Sequence, residues 1–257
     1  MEQLVNGPPE VVEHVRQERS DASLSPLITH QGTYLLPFLL HSVPDIGKRL
    51  VDQLLDSGDD TMRIIGAWHV FWHSFQDPAY VSQADQLIEK GVVYRRLFAD
   101  VASQVITEAF SERAELQLIR FFDDDDEQVR RQAGNVFHKI EVSEFTKFSR
   151  ISQAYLASRA FDDESFAFFH ALKNATCNVQ DLVISAAEKI VAGLQTNDKT
   201  GRSRDLDLHQ LRDLLKQEYA ISESDPELRR KLLNVIDVML EMELYGTDEI
   251  LKLHARE

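Results

Sequence analysis

Two histidines stand four residues apart in the run HVFWH: His69 and His73. On a helix that spacing puts both imidazoles on one face, as in a zinc-binding helix. No glutamate lies between them, and the stripe they join (Met62, Ile65, His69, Trp72) has the period of a packing face. The pair therefore reads first as satisfied packing histidines and second as half of a metal site. Trp68 and Trp72 are interleaved with them, also one turn apart. Such tryptophans are core residues or, on an open surface, the anchors for a protein partner. The acidic run Asp123–Asp126, followed by Glu127, lacks the glycine and the closing glutamate of a calcium loop, so it reads as a capped, solvated turn. Arg130 and Arg131 come next. Cys177 has no histidine or basic residue adjacent to it and reads as a small buried apolar residue. Asp237, inside an apolar helix, reads as exposed between two stripes or as an acceptor for the Tyr245-Gly246 turn. The chain has no G-x-S-x-G elbow, no H-E-x-x-H helix and no G-x-x-x-x-G-K-[ST] phosphate cradle. No catalytic residue, cofactor or metal is expected. The residues offered to a partner are Trp68, His69, Trp72, His73, Arg130 and Arg131.

Composition narrows the partner. The 257 residues carry 28 basic and 43 acidic side chains, a formal charge of −15. A protein that binds nucleic acid must supply cations to replace counterions. Here only local patches qualify, Lys199 with Arg202 and Arg204, and Arg229, Arg230 and Lys231. Nucleic acid is therefore disfavoured. With 43% apolar residues the chain is too hydrophobic to be disordered, and one cysteine excludes a disulfide framework. The N-terminus has no secretory pattern. The most apolar run, Tyr34–Leu40, is too short for a membrane span and contains Pro37. A cytoplasmic setting is expected.

These side chains must be positioned by helices. No proline occurs between Pro78 and Pro226, which suits helices better than strands. Apolar stripes recur at Val93, Leu97, Val101 and Val105, at Phe145, Phe148, Ile151 and Tyr155, and at Val179, Leu182, Val183, Ala186, Ala187, Ile190, Val191 and Leu194. Leu208, Leu211, Leu215 and Tyr219 form another. Leu228, Leu232, Val235, Met239 and Met242 share the last helix with a second face, Leu233, Ile236, Leu240 and Leu244, which predicts packing on both sides. Asp77-Pro78 and Asp225-Pro226 are start signals, and Asp59, Asp60 and Asp126 precede helix starts at Thr61 and Glu127. The pattern predicts roughly twelve helices joined by short turns, with a mobile loop at Thr196–Asp205. The fold class expected is all-α.

Two segments align without gaps: Leu54–Phe71 (LLDSGDDTMRIIGAWHVF) and Phe121–His138 (FFDDDDEQVRRQAGNVFH). Met62-Arg63 matches Val129-Arg130, Asp59 matches Asp126, and Gly66-Ala67 matches Ala133-Gly134. An acidic turn caps a helix, an apolar residue anchors it, an arginine follows, and small residues admit a close neighbour. The run DDDDEQVRRQAGNVF resembles the HEAT repeat, with its D-x-x-x-V-R-x-x-A-x-x-x-L core. That resemblance implies an α-solenoid of antiparallel helix pairs, HEAT/armadillo-like, which offers surface rather than a reactive centre. One helical-repeat domain over 1–257 is expected, with 1–43 an atypical first repeat, 44–194 HEAT-like repeats and 206–257 C-terminal capping helices.

The segment ELRRKLLNVIDVMLEMELYGTDEIL resembles the closing part of large bacterial nucleotide-binding proteins of the STAND or NACHT type, many associated with defence against phage. The Tyr245-Gly246 turn and the I-D-x-M-L run Ile236–Leu240 carry that likeness. It implies a sensing or scaffolding tail whose nucleotide-binding module lies upstream in the parent protein. A tail of that kind exposes an apolar face at Val11–Leu40. The alternative expectation is a nucleic-acid-binding repeat protein whose Arg63, Arg95, Arg96, Arg130 and Arg131 converge in one groove.

Overall fold

The computed structural model describes residues 36–141, 143–195, 204–244, 247 and 250. Every regular element among them is helical. After a helical segment at 36–42 come α1 (Pro44–Leu55), α2 (Asp60–Ser74), a 3-10 turn (Pro78–Tyr80), α3 (Val81–Glu89) and α4 (Val92–Glu108). Then follow α5 (Glu112–Phe121), α6 (Glu127–Gly134), α7 (Val136–Lys139), α8 (Ser149–Ala157), α9 (Arg159–Asp163) and α10 (Phe166–Asn174). The chain continues with α11 (Gln180–Gln195), α12 (Arg204–Ile221) and α13 (Pro226–Glu241). The fold class is all-α: short turns join helices that pack on near neighbours in the chain, α1 on α2 and α11 on α12 and α13 among them. The elements cluster into two compact units, Met1–Val101 and Ala102–Glu257, and the division falls inside α4.

The helix starts follow from side-chain acceptors that satisfy free backbone N–H groups. Asp59 accepts from the N–H of Thr61 and Met62, Asp126 from Gln128 and Val129, and Asp225 from Glu227 and Leu228. Asp77 caps the 3-10 turn rather than a full helix, accepting from Ala79. Asp60 lies inside α2, one residue earlier than the expected start.

In the first unit α2 packs on α1, on the 3-10 turn and on α3. Gly66 makes the α1–α2 approach close, since a Cβ there would lie 3.0 Å from the Leu54 Cβ. Gly47 does the same for α1 against 36–42, where a Cβ would lie 2.8 Å from the Leu40 backbone. The buried face of α2 is Ala67, Val70, Phe71 and Ser74, with Gly66 and His69 beside it. Met62, Ile65 and Trp72 are half-buried, so the expected stripe only borders the packing face.

In the second unit the core is aromatic. Phe168 has its ring 4.8 Å from Phe137, 5.5 Å from Tyr155 and 6.0 Å from Phe161. Phe145, Phe148, Ile151 and Tyr155 are all buried, as their spacing predicts. The α11 stripe is buried at Val179, Val183, Ala186, Ala187 and Val191 and half-buried at Leu182, Ile190 and Leu194. On α13 Leu228, Leu232, Val235, Ile236 and Met239 are buried, Leu233 and Leu240 half-buried and Asp237 exposed.

Two expectations need correction. Val93 is 52% exposed; α4 buries Phe98, Val101, Ala102 and Val105 instead. Cys177 is half-buried, because it sits in the turn between α10 and α11 rather than on an apolar face. The proposed exposed face at Val11–Leu40 lies outside the described residues up to position 35, and so does the Tyr245-Gly246 turn. Of the expected loop Thr196–Asp205, only Arg204 and Asp205 are described, and they begin α12.

Candidate functional site

The histidine and tryptophan run lies on α2. Its helix is started by Asp59 and held against α1 at Gly66, which leaves the next face of the helix to the aromatic side chains. Trp68 and Trp72 stack with centroids 5.2 Å apart and planes 14° from parallel, and both are half-buried. His69 meets the Trp68 ring edge-on at 5.1 Å and stacks on His73 at 6.5 Å. His73 lies 5.4 Å from Tyr80, and the Lys48 ammonium stands 5.7 Å over the Tyr80 ring. The result is a continuous aromatic strip that ties α2 to the 3-10 turn and, through Lys48, to α1.

Burial governs the electrostatics. His69 is 7% exposed. Desolvation, reinforced by the neighbouring His73, lowers its pKa to about 4. His73 is also lowered by burial, against an opposing pull from Asp77. Both imidazoles are therefore neutral at pH 7. Among the described residues no cluster of three or more His, Cys, Asp or Glu could hold a metal ion. Trp68, Trp72 and His73 keep part of their rings at the surface, whereas His69 is closed off from it.

The acidic turn has a different role. Arg130, 8% exposed, donates Nη1 to the carbonyls of Asp124 at 2.7 Å and Asp125 at 3.1 Å, and its Nε pairs with Asp163. Arg159 donates Nη2 to the carbonyls of Asp123 and Asp124 and to the Asp125 carboxylate, while its backbone N–H binds Asp123 Oδ1 at 2.9 Å. Ala160 N–H reaches the Phe122 carbonyl at 3.0 Å. The turn is thus filled by two arginines of the same chain. Arg131 is exposed and pairs with Glu127 at 3.1 Å and with Glu164 at 3.0 Å. Arg159 was missed by the sequence reading; it stands 36 residues from its partner, and no local spacing signals it.

Of the other arginines weighed for a groove, Arg63 bonds the Ser57 carbonyl at 2.6 Å and pairs with Asp60. A second feature of the first unit is an open polar cleft between α1 and α3, lined by Asp52, Asp56, Gln83 and Gln86 over Leu55 and Leu87 with Lys90 at its edge. Gln83 Nε2 donates to Asp52 across it at 3.3 Å.

Neither a protein-family model nor a curated protein matches the chain. Among solved structures it is similar to one described as "Structure of the Pds5-Scc1 complex and implications for cohesin function", at 15% identity and a TM-score of 0.37. The match covers 93% of this chain and 36% of that one, so the chain spans about a third of its length.

Proposed function

We propose that this protein is a non-enzymatic helical scaffold for protein–protein recognition, and that the Trp68–Trp72 face of α2 is its partner-binding surface. The observation that carries the reading is the stacked indole pair, half-buried and flanked by two imidazoles that stay neutral at pH 7. Large flat aromatics held in one rotamer supply contact area with little further loss of conformational entropy, which is why tryptophan is enriched among interface hot spots. Arg130 supports the fold of the second unit and is not offered to a partner, Arg131 is exposed there, and His73 is half-buried next to His69 on α2.

A protein partner is favoured over nucleic acid. The charge of −15 opposes a phosphate backbone, and Arg63, Arg130 and Arg131 are each engaged with carboxylates or carbonyls of this chain. The wider reading, a cytoplasmic sensor or scaffold tail of a bacterial STAND- or NACHT-type protein linked to phage defence, rests on the Ile236–Leu240 run and its neighbours. A phosphate-binding loop encoded in frame upstream of Met1 would support it, and its absence would remove it.

The direct test places a photo-crosslinking amino acid at position 72 in the producing cell and identifies the adduct. The purified partner is then titrated against the Trp68→Ala/Trp72→Ala variant. Loss of about 30-fold or more in affinity, the scale of a hot spot, is expected. Unchanged affinity in a variant of unchanged helicity overturns the assignment of this face.

A further inference from the structure

The aromatic strip of α2 has an unusual feature for a packed corner. Its most buried member, His69, is a base, and it takes up a proton within the accessible pH range once it is free of the fold. The groups around it do little to offset such a charge. From its own helix His73 faces it at 6.5 Å. The 3-10 turn brings Asp77, which acts on His73 and Tyr80. α1 brings Lys48 and Asp52, and both act at Tyr80. α3 carries Asp85 and Glu89, and both are exposed. α4 meets α2 through Phe98, which packs on Phe71 and Phe75; its charged residues there are Arg95, Arg96 and Asp100. Of all these, only His73 acts electrostatically on His69, and it is itself a base.

We propose that this corner is a proton-operated latch: neutral His69 keeps the strip of Trp68, Trp72, His73 and Tyr80 packed, and protonation of His69 loosens the strip and turns the two indoles toward solvent. The proton comes from bulk water onto a ring nitrogen. An imidazolium there would be a nearly buried charge with no carboxylate among the described residues acting on it, a state that costs several kcal/mol unless the site opens. Opening restores hydration. Below an open-chain value of 6.5 and down to about 4, the bias toward the open form grows about tenfold per pH unit.

The test is direct because Trp68 and Trp72 are the two tryptophans of the whole chain, so indole emission reports this corner alone. The full chain is titrated from pH 7.5 to pH 4 while the emission maximum, acrylamide quenching and ellipticity at 222 nm are followed. The expected result is a reversible red shift with increased quenching, beginning below pH 6.5 while most ellipticity remains, and lost in His69→Leu. If His69→Leu lacks the neutral-pH ellipticity of the parent, His69→Gln replaces it with the same expectation. His73→Gln removes a neighbouring base and should keep the transition but move its midpoint to a different pH. Three results overturn the proposal. One is a flat emission profile. Another is an intensity change without red shift or added quenching. The third is the same transition in the parent and in the folded His69 variant.

Discussion

Arg63 and Arg130, 67 positions apart in the chain, make the same bond. Each donates Nη1 to the main-chain carbonyl six residues back, Arg63 to Ser57 at 2.6 Å and Arg130 to Asp124 at 2.7 Å. Each thereby ties its helix to the turn that precedes it, where carbonyls at the end of the previous helix would otherwise lack partners. The two bonds differ in surroundings. Arg63 pairs with the exposed Asp60 of its own first turn, whereas Arg130 is buried and pairs with Asp163 of α9.

That difference predicts unequal costs. Arg130→Ala takes the arginine from Asp163 and from the Asp125 carbonyl, leaves the Asp124 carbonyl to Arg159 alone, and should destabilise the second unit by about 3 kcal/mol. Arg63→Ala should cost no more than about 1 kcal/mol, because its ion pair is solvent-exposed. Arg130→Lys keeps the charge but loses the planar fork, and should recover less than half of the loss. Urea unfolding at pH 7 measures all three, and equal values for the two alanine variants would contradict the assignment.

Phe168 lies at the centre of the second unit, fully buried among Phe137, Tyr155 and Phe161. Phe168→Ala should cost about 3–5 kcal/mol, the transfer loss plus the cavity. Phe166, its exposed neighbour two positions earlier, should tolerate alanine within about 0.5 kcal/mol. Melting temperatures of the two variants check the contrast.

Gly47 is required by contact. Its position would force a Cβ to within 2.8 Å of the Leu40 Cα and N, backbone atoms that cannot rotate away as the Leu40 Cδ2 beside them can. Alanine normally stabilises a helix interior relative to glycine by about 1 kcal/mol. At this site the sign should invert, with Gly47→Ala destabilising by about 1–3 kcal/mol as an overpacked contact. A gain in thermal stability would show that the approach of 36–42 to α1 is looser than described.

Glu218 on α12 is 5% exposed, and burial raises its pKa while a hydrogen bond to Gln180 opposes the rise. A carboxyl raised in the folded state favours folding while it is protonated, below its unfolded value near 4.5, and that contribution is lost as pH rises through the folded value. Glu218→Gln, a neutral mimic, should therefore be more stable than the parent at pH 7, by about 1 kcal/mol on the scale of a poorly satisfied buried polar group. The gap should close below pH 4.5. Denaturant midpoints at pH 7 and pH 4 test the sign, and a variant less stable than the parent at pH 7 would reverse it.

What could be read from the linear chain concerns interactions that span a few residues. Asp59, Asp126 and Asp225 reach N–H groups two or three positions ahead, so the helix starts they cap were legible. So were the buried stripes of α8 and α11, where one face repeats through the whole helix. The aligned segments around Asp59 and Asp126 likewise marked two equivalent turns, because their capping and arginine bonds are local.

The rest depended on which surfaces the helices turn toward one another. Spacing placed His69 and Trp72 in one stripe, yet α2 buries His69 and leaves Trp72 half-open, since its packing face is centred on Ala67, Val70 and Phe71. Val93 follows the period of α4 but lies at its first turn, where no neighbour covers it enough to bury it. No change in composition marks the division at Val101, because α4 runs unbroken through it. The acidic turn looked like a solvated cap until Arg159 arrived from 36 residues away. Periodicity records which residues prefer burial, whereas partners distant in sequence decide which of them are buried and what a charge meets there.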